Sequence, residues 1–158
     1  MEGMSSTATP LQPFVRRARP GDYDVIAAVA DAWWGRPIIG ALPRLFLDHF
    51  HATSLIAERG ETLVGFLIGF VSPSQPGEAY IHFVGVSPAE RGRGLARDLY
   101  AVFISQVRAA GCTAVSAVTS PVNSGSIAFH ARLGFSVAGP VADYNGPGLE
   151  LMTFRRPL

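Results

Sequence analysis

A glycine-rich turn in the middle of the chain carries the residues best suited to chemistry. Residues 83–96 (FVGVSPAERGRGLA) have the pattern of a strand end, a turn with two glycines and the start of an apolar helix. The first N–H groups of a helix have no partner within it, and the helix dipole adds partial positive charge there. Because Gly92 and Gly94 lack a Cβ, the backbone can approach a phosphate and adopt positive φ. The turn therefore predicts a diphosphate site, to which Arg91 and Arg93 can add charge-assisted hydrogen bonds.

Three phosphate-binding patterns compete for this turn. The dinucleotide fingerprint needs a third glycine where Arg97 stands, and the P-loop needs a Gly-Lys-Ser/Thr run that the chain lacks. The pattern R-x-x-G-x-A remains, at Arg91, Gly94 and Ala96. A nucleotide binder that prefers NAD or ATP stays open as a minor alternative.

A second segment, residues 123–135 (NSGSIAFHARLGF), follows at a suitable distance. The turn resembles the Q/R-x-x-G-x-G/A signature of the GNAT superfamily of N-acetyltransferases, and this segment is similar to the family's N-x-x-A-x-x-x-Y-x-x-x-G-F run. The resemblance covers nearly the whole chain after Pro13, most strongly from Glu78 to Phe135. It implies an enzyme that takes acetyl-CoA as cosubstrate.

The elements that must position these segments follow from hydrophobic periodicity. Strand-like runs stand at 14–19, 54–59, 63–71, 78–86, 114–118, 135–138 and 149–154, and helix-like runs begin at Asp22 and Pro43 and cover 95–110 and 124–133. Asp22 is expected to cap its helix, with Val25, Ile26, Val29 and Trp33 on the buried stripe, and Leu45, Phe46 and Phe50 are expected on one side of the next. This order predicts a mixed α/β (α+β) sheet flanked by helices. The resemblance adds that the sheet is mostly antiparallel and that its central strands splay apart.

The resemblance also assigns cosubstrate contacts. Val84 and Val86 would bind the pantetheine arm through their backbone, and Gly85 would permit close approach. The diphosphate would be held by the amides of Gly92, Arg93, Gly94, Leu95 and Ala96. Asn123 is either a pantetheine contact or an N-cap, and Phe129 is either core or beside the cosubstrate.

Candidate acids and bases lie on the fourth strand and the last helix. A period of two puts Glu78, Tyr80, His82 and Val84 on one strand face. His82 is the preferred base and Glu78 the second, while Tyr80 stands where some family members have a catalytic glutamate; ordinary strand residues are the alternative. His130 occupies the place of the family's tyrosine acid, and is either that acid or a partly exposed helix histidine.

The acceptor is predicted to be a primary amine of a small molecule, attacking directly in a ternary complex. Trp33 is expected in the core and Trp34 in a pocket, whereas Arg36 could bind an acceptor carboxylate and Asp143 an acceptor cation. A non-catalytic acyl-CoA-binding or sensor module, and acetylation of a protein N-terminus or lysine, remain as alternatives.

Composition bounds the remaining questions. The 158 residues suit one domain, expected over residues 14–158 after a flexible tail at 1–13. The net charge of +1 favours neither nucleic acid nor an anionic membrane as partner, and no membrane span or signal peptide is evident. A hydrophobic content of 48% makes a homodimer possible. A cytoplasmic location and no metal are expected.

Two minor features are expected to have no catalytic part. Arg16, Arg17 and Arg19 are expected to be solvated charges on a strand face. The lone Cys112 is expected to pack rather than react.

Overall fold

Seven strands and four helices make up the fold in the computed structural model, which describes residues 12–158. Apart from Gln12 and Pro13, the tail predicted at 1–13 lies outside the described residues. The strands are β1 (Phe14–Arg17), β2 (Leu55–Arg59), β3 (Thr62–Val71), β4 (Glu78–Val86), β5 (Ala114–Thr119), β6 (Ser136–Val141) and β7 (Leu151–Pro157). The helices are α1 (Asp22–Trp34), α2 (Leu45–Phe50), α3 (Leu95–Ala109) and α4 (Ser124–Arg132).

One sheet joins all seven strands in the order β1-β2-β3-β4-β5-β7-β6. Every neighbouring pair is antiparallel except β4 and β5, which run parallel. This confirms the predicted mixed, mostly antiparallel sheet flanked by helices. Helix α3 connects the two parallel strands, as a parallel pairing requires a long crossover.

Two hydrophobic clusters lie on opposite faces of the sheet. On one face, Leu99, Phe103 and Val107 of α3 are buried against the sheet, as the periodicity predicted. On the other face, α1 and α2 cover Phe66 and Phe83. We call these the α3/α4 face and the α1/α2 face after the helices that cover them. A ligand between the strands would contact both faces.

The first helices depart from the predicted stripes. Val25 and Leu45 are each 50% exposed, whereas Ile26 and Leu47 are fully buried. The predicted stripe placed the adjacent residues Val25 and Ile26 on one side, although a helix turns by about 100° from one residue to the next.

Asp22 does not cap α1 with its side chain. Its carboxylate instead accepts the backbone N–H of Arg19 at 2.6 Å and the Arg16 guanidinium at 2.8 Å. Arg16 also pairs with Glu58 on β2 and is half-buried, so its prediction as a solvated strand charge was wrong. The pairing ties the start of α1 to the sheet edge.

Strands β4 and β5 separate soon after they meet. Only Glu78, Ala79 and Tyr80 pair with β5, the last of them with Ser116. From residue 81 onward β4 has no strand partner on its β5 side within residues 12–158. The splayed central strands expected from the resemblance are therefore present.

His82 is an extra residue in β4. Its neighbours Ile81 and Phe83 pair with consecutive residues of β3, Gly69 and Ile68, so the strand bulges at His82. A bulge interrupts the alternation of side chains. Val84 consequently packs with the α3/α4 cluster while Phe83 belongs to the α1/α2 cluster. The prediction that Val84 shares a face with Tyr80 and His82 was wrong for this reason.

Candidate functional site

The space between the separated strands forms a cavity of about 790 Å³, here called the gap cavity. Its walls include Trp34 and His82 from the α1/α2 face, and Tyr100 and His130 from the α3/α4 face. Ala117 of β5 forms part of the side opposite β4. The cavity therefore reaches both faces of the sheet, so that two ligands could meet in it from opposite sides.

A second cavity of about 520 Å³ lies at the start of α3, here called the cradle. Gly92 and Gly94 adopt left-handed φ angles of 79° and 82°, and no side chain caps the helix. Within residues 12–158, the backbone N–H groups of residues 92–97 have no hydrogen-bond acceptor. A Cβ on Gly92 would point into open space. Free donors at a helix N-terminus suit an anion, and the diphosphate site stays a prediction.

The two arginines predicted at the cradle differ in position. Arg91 donates to the backbone carbonyl of Trp33 at 2.6 Å, and Arg93 lines a separate cavity with Arg59 and Glu90. Arg91 borders the cradle, so its predicted phosphate contact stays a prediction, whereas Arg93 is not among the residues that line the cradle.

Two further arginines, Arg97 and Arg132, also line the cradle. Arg97 was noted in the sequence only because it occupies the place of the third glycine of a dinucleotide motif. Arg132 lies in the last turn of α4, and no motif marked it. Both are exposed enough to move toward an anion.

The cosubstrate residues predicted on β4 divide into two groups. Val84 and Val86 lie along the free edge of the strand, where their backbone groups can bind an extended ligand. Gly85 has a different reason to be glycine. A Cβ there would lie 2.6 Å from the Phe66 ring and 2.7 Å from Trp34, so the missing side chain makes room for α1 packing, not for the ligand.

Residues predicted at the cradle and the last helix have mixed outcomes. Leu95, Ala96 and Phe129 all line the cradle, and the side chain of Leu95 is also buried in the core. Asn123 caps α4, since its Oδ1 accepts the Ser126 N–H at 3.1 Å. Its side chain also borders the gap cavity, so the capping role and contact with a ligand are compatible.

His82 is held in one tautomer. Its Nε2 lies 2.7 Å from the backbone carbonyl of Ala41, which can only accept, so Nε2 carries the proton. The ring stacks on Phe46 with centroids 4.0 Å apart. Burial lowers the pKa of His82. The imidazole is therefore neutral near pH 7, with Nδ1 as the basic nitrogen beside the gap cavity.

Glu78 and Tyr80 lie outside the gap cavity. The Glu78 carboxylate accepts from Arg155 at 2.7 Å and from the Ser116 hydroxyl at 3.4 Å. Burial raises the pKa of Tyr80 to about 12, so the phenol is protonated and is no base at neutral pH. Both residues line a third cavity of about 510 Å³, the sheet-face cavity, which also includes Tyr144 and meets the gap cavity at Ala117.

His130 is buried rather than partly exposed. It stacks on Phe154, and its Nε2 lies 2.8 Å from the hydroxyl of Tyr100. Its Nδ1 lies 2.7 Å from the Ser126 carbonyl. Burial lowers the pKa of His130, so the neutral ring predominates near pH 7. Tyr100 was missed by sequence reasoning, because it sits at a core position of α3.

The residues predicted to bind the acceptor lie in different parts of the structure. Trp33 stacks on Phe66 in the core, and Trp34 lines the gap cavity. Arg36 also borders this cavity, and its contact with an acceptor carboxylate stays a prediction. Asp143 accepts the Gly148 N–H at 2.8 Å and so organises its own loop. Its carboxylate has less capacity left for an acceptor cation.

Other site types find little support in the described chain. Cys112 is buried, and burial raises the pKa of its thiol, which suits packing. Residues 12–158 contain no group of three His, Cys, Asp or Glu arranged to hold a metal. Among the helices of the same residues, none has the length and apolar character needed to cross a membrane.

Curated relatives match part of the chain. The chain is 38% identical over 89 residues to the L-2,4-diaminobutyric acid acetyltransferase of Nocardia farcinica. The match covers 56% of this chain and 46% of that enzyme. The chain thus spans about half the length of that relative.

Solved structures share the fold. Ard1 of Thermoplasma volcanium is 20% identical with a TM-score of 0.79, over 94% of this chain and 99% of that one. N-acetylglutamate synthase of Neisseria gonorrhoeae, solved with coenzyme A and N-acetyl-glutamate, is 23% identical with a TM-score of 0.76. That match covers 96% of this chain and 36% of that one. The sequence profile of the acetyltransferase (GNAT) family matches residues 19–135, and the chain belongs to this family.

Proposed function

We propose that the protein transfers the acetyl group of acetyl-CoA to a primary amine of a small molecule. The observation that carries this proposal is the separation of β4 and β5 after Tyr80, directly beside the cradle at the start of α3. The diphosphate would bind the free amides of residues 92–97, and the pantetheine arm would follow the free edge of β4 into the gap cavity. Arg97 and Arg132 would add positive charge at the cradle.

The reaction would proceed by direct attack in a ternary complex. A thioester is already activated, so holding a neutral amine against its carbonyl supplies much of the rate. His82 is the proposed base, because its Nε2–H is fixed on Ala41 and its Nδ1 has no hydrogen-bond partner among residues 12–158. A backbone N–H on the free edge of β4 would meet the charge that develops on the carbonyl oxygen.

The sheet-face cavity is the proposed acceptor entrance. It adjoins the gap cavity and carries the Glu78–Arg155 pair, with Tyr80 and Tyr144 as aromatic walls. A carboxylate can hold an ammonium, and an arginine can hold a carboxylate. The relative from Nocardia farcinica is named for a diamino acid. We therefore propose an amino acid with a second amine as the acceptor class.

We further propose that residues 14–158 act as one domain in a cytoplasmic homodimer. Strand β6 is the sheet edge, and all six of its residues are exposed. Val137, Val141 and Leu149 are exposed near this edge, which would suit a second copy of the chain. Sedimentation of the wild type and of Val137→Asp tests this: a dimer that the substitution dissociates supports it, and a monomeric wild type contradicts it.

Thermal unfolding with acetyl-CoA, CoA, NAD and ATP tests the proposed cosubstrate. A ligand at about 100 times its dissociation constant adds about 2.7 kcal/mol to the free energy of unfolding. We expect stabilisation by acetyl-CoA and CoA and not by NAD or ATP. Stabilisation by NAD or ATP alone would contradict the assignment of the cradle.

A further inference from the structure

A buried carboxylate lines the cradle, although the ligand proposed there is an anion. Among the described residues that line this cavity, Glu90 is the only acidic one, and it is 6% exposed. The cradle is otherwise positive, with the free N–H groups of residues 92–97 and the side chains of Arg91, Arg97 and Arg132. A negative charge without a partner at this place would oppose the binding of a diphosphate. The carboxylate therefore needs a cation that does not itself occupy the cradle.

Arg59 supplies this cation from a neighbouring cavity. Its Nε donates to one carboxylate oxygen of Glu90 and its Nη2 donates to the other, each at 3.0 Å. Arg59 is the last residue of β2 and does not line the cradle. It lines a cavity of about 340 Å³, here called the rear cavity, to which Glu90 also belongs. Glu90 thus lies between the two cavities, and its charge is neutralised from the rear cavity.

Arg93 adds positive charge on the same side. It lines the rear cavity, and the pKa of Glu90 is lowered chiefly by the hydrogen bonds from Arg59 and to a smaller extent by the charge of Arg93. The Glu90 carboxylate is therefore ionised at neutral pH. Asp98, the other acidic residue of the rear cavity, is exposed and lies 3.9 Å from the Arg97 guanidinium.

The ion pair also fixes the turn that precedes the cradle. Glu90 is the last residue of the short 3-10 turn Pro88–Glu90, two positions before Gly92. A planar guanidinium that binds both oxygens of a carboxylate fixes the orientation of its partner as well as the distance. Arg59 therefore holds this turn against the end of β2.

We propose that Arg59 is a positioning residue for the cosubstrate site, which neutralises Glu90 and so allows the cradle to bind the diphosphate of acetyl-CoA. This inference rests on the proposed function. It adds to the site a residue that the cosubstrate does not touch, and that acts through Glu90.

The same pair has a second explanation, which is an ion pair that only joins the turn to the sheet. Loss of either partner would then leave a buried charge unpaired and loosen the turn, so both losses would weaken cosubstrate binding alike. Charge neutralisation predicts opposite effects instead. Loss of Arg59 leaves a negative charge beside the ligand, whereas loss of Glu90 leaves a positive charge near it.

Titration calorimetry with CoA at low ionic strength separates the two explanations. Arg59→Gln should lower the affinity for CoA about tenfold, and Glu90→Gln should raise it about threefold. The double variant, which has neither charge, should bind CoA within about twofold of the wild type. The loss in Arg59→Gln should shrink at about 0.5 M salt, because salt screens the exposed part of the repulsion.

Two further variants separate charge from geometry and from net charge. Arg59→Lys keeps the charge without the two-pronged contact, so it should bind CoA within about threefold of the wild type even if its unfolding midpoint falls. Arg16→Gln is the matched control. It removes the same charge from a half-buried ion pair with Glu58 of β2, outside the cradle, and should leave the affinity for CoA unchanged.

Two results would overturn the proposal: equal losses of CoA affinity in Arg59→Gln and Glu90→Gln, or no loss in a folded Arg59→Gln. Inorganic diphosphate, titrated into the same variants, distinguishes this failure from a failure of the proposed function. A wild type that binds diphosphate but not CoA, with the affinity for diphosphate lowered in Arg59→Gln and raised in Glu90→Gln, would contradict the proposed function. The role of Arg59 at the cradle would then remain supported.

Discussion

Tyr80 of β4 and Ser116 of β5 are the last residues paired across the two strands before they part. Beyond this point β4 continues to Val86 and β5 to Thr119, with the gap cavity between them. Tyr80 and Ser116 line the sheet-face cavity, whereas the lining of the gap cavity on β4 starts at Ile81. The pair therefore marks the boundary between the proposed acceptor entrance and the proposed cosubstrate channel.

A side chain at Gly92 should weaken cosubstrate binding. Its φ is 79°, so Gly92→Ala should cost about 1–2 kcal/mol of stability. Because Gly92 lines the cradle, we expect the affinity for acetyl-CoA to fall about tenfold through one lost charged hydrogen bond. Titration calorimetry measures the affinity.

Gly111 provides the matched control. It has a φ of 92°, and a Cβ there would meet no atom within 4 Å. Gly111→Ala should therefore cost similar stability without changing the affinity for acetyl-CoA. Equal losses of affinity in the two variants would show that strain, not the cradle, is responsible.

The protonation of His82 should determine the acidic limb of the pH profile of kcat/KM. A base must be unprotonated, so kcat/KM should rise with pH as Nδ1 loses its proton. Because burial lowers the pKa of His82, the midpoint of this limb should lie below the ordinary histidine pKa of about 6.5. His82→Gln should lower kcat/KM about 100-fold and remove the limb. His49→Gln, at an exposed position of α2, serves as the control, and a His82→Gln profile that keeps the limb would exclude His82 as base.

Buried neutral histidines should also make stability depend on pH. Burial lowers the pKa of His130 in the folded state, so the unfolded chain binds the proton more readily. The contribution is complete above about pH 6.5, and the free energy of unfolding should fall as the pH drops toward the folded-state pKa. Denaturant unfolding of wild type and His130→Phe between pH 5 and 7 measures this. We expect a smaller slope in His130→Phe, and equal slopes would contradict the assignment.

Glu78 should affect the acceptor and not the cosubstrate. Its carboxylate pairs with Arg155 in the sheet-face cavity, outside the gap cavity. Glu78→Gln should raise the KM for a diamino acid about tenfold, as the loss of one charged hydrogen bond predicts, and leave acetyl-CoA affinity unchanged. Glu61→Gln, in the exposed turn between β2 and β3, is the control. A change in acetyl-CoA affinity instead would show that Glu78 contributes to the cosubstrate site and not to the acceptor site.

Elements with a strong hydrophobic period were predictable from the sequence. Strand β4 and the start of α3 were predicted at the residues where they occur, because Glu78 follows a Pro-Gly loop and Leu95 follows two glycines. The cradle was predictable for the same reason: its donors are backbone groups, whose positions depend on the local chain.

Side-chain partners distant in sequence were not predictable. Arg91 binds the carbonyl of Trp33, although 58 residues separate the two in the sequence. Gly85 makes room for the ring of Trp34. The bulge at His82 depends on pairing with β3. It cannot be recognised from the alternation of residues along β4 itself. Tyr100 meets His130 only because α3 and α4 pack on one face.

The joint release of CoA thiol and acetylated amine tests the central claim most directly. Acetyl-CoA is incubated with the protein and a panel of diamino acids and simple amines, with free thiol and acetylated product measured together by mass spectrometry. The account predicts equal amounts of the two, reduced strongly in His82→Gln. Neither product above the protein-free rate with any amine, from a folded protein, would contradict it.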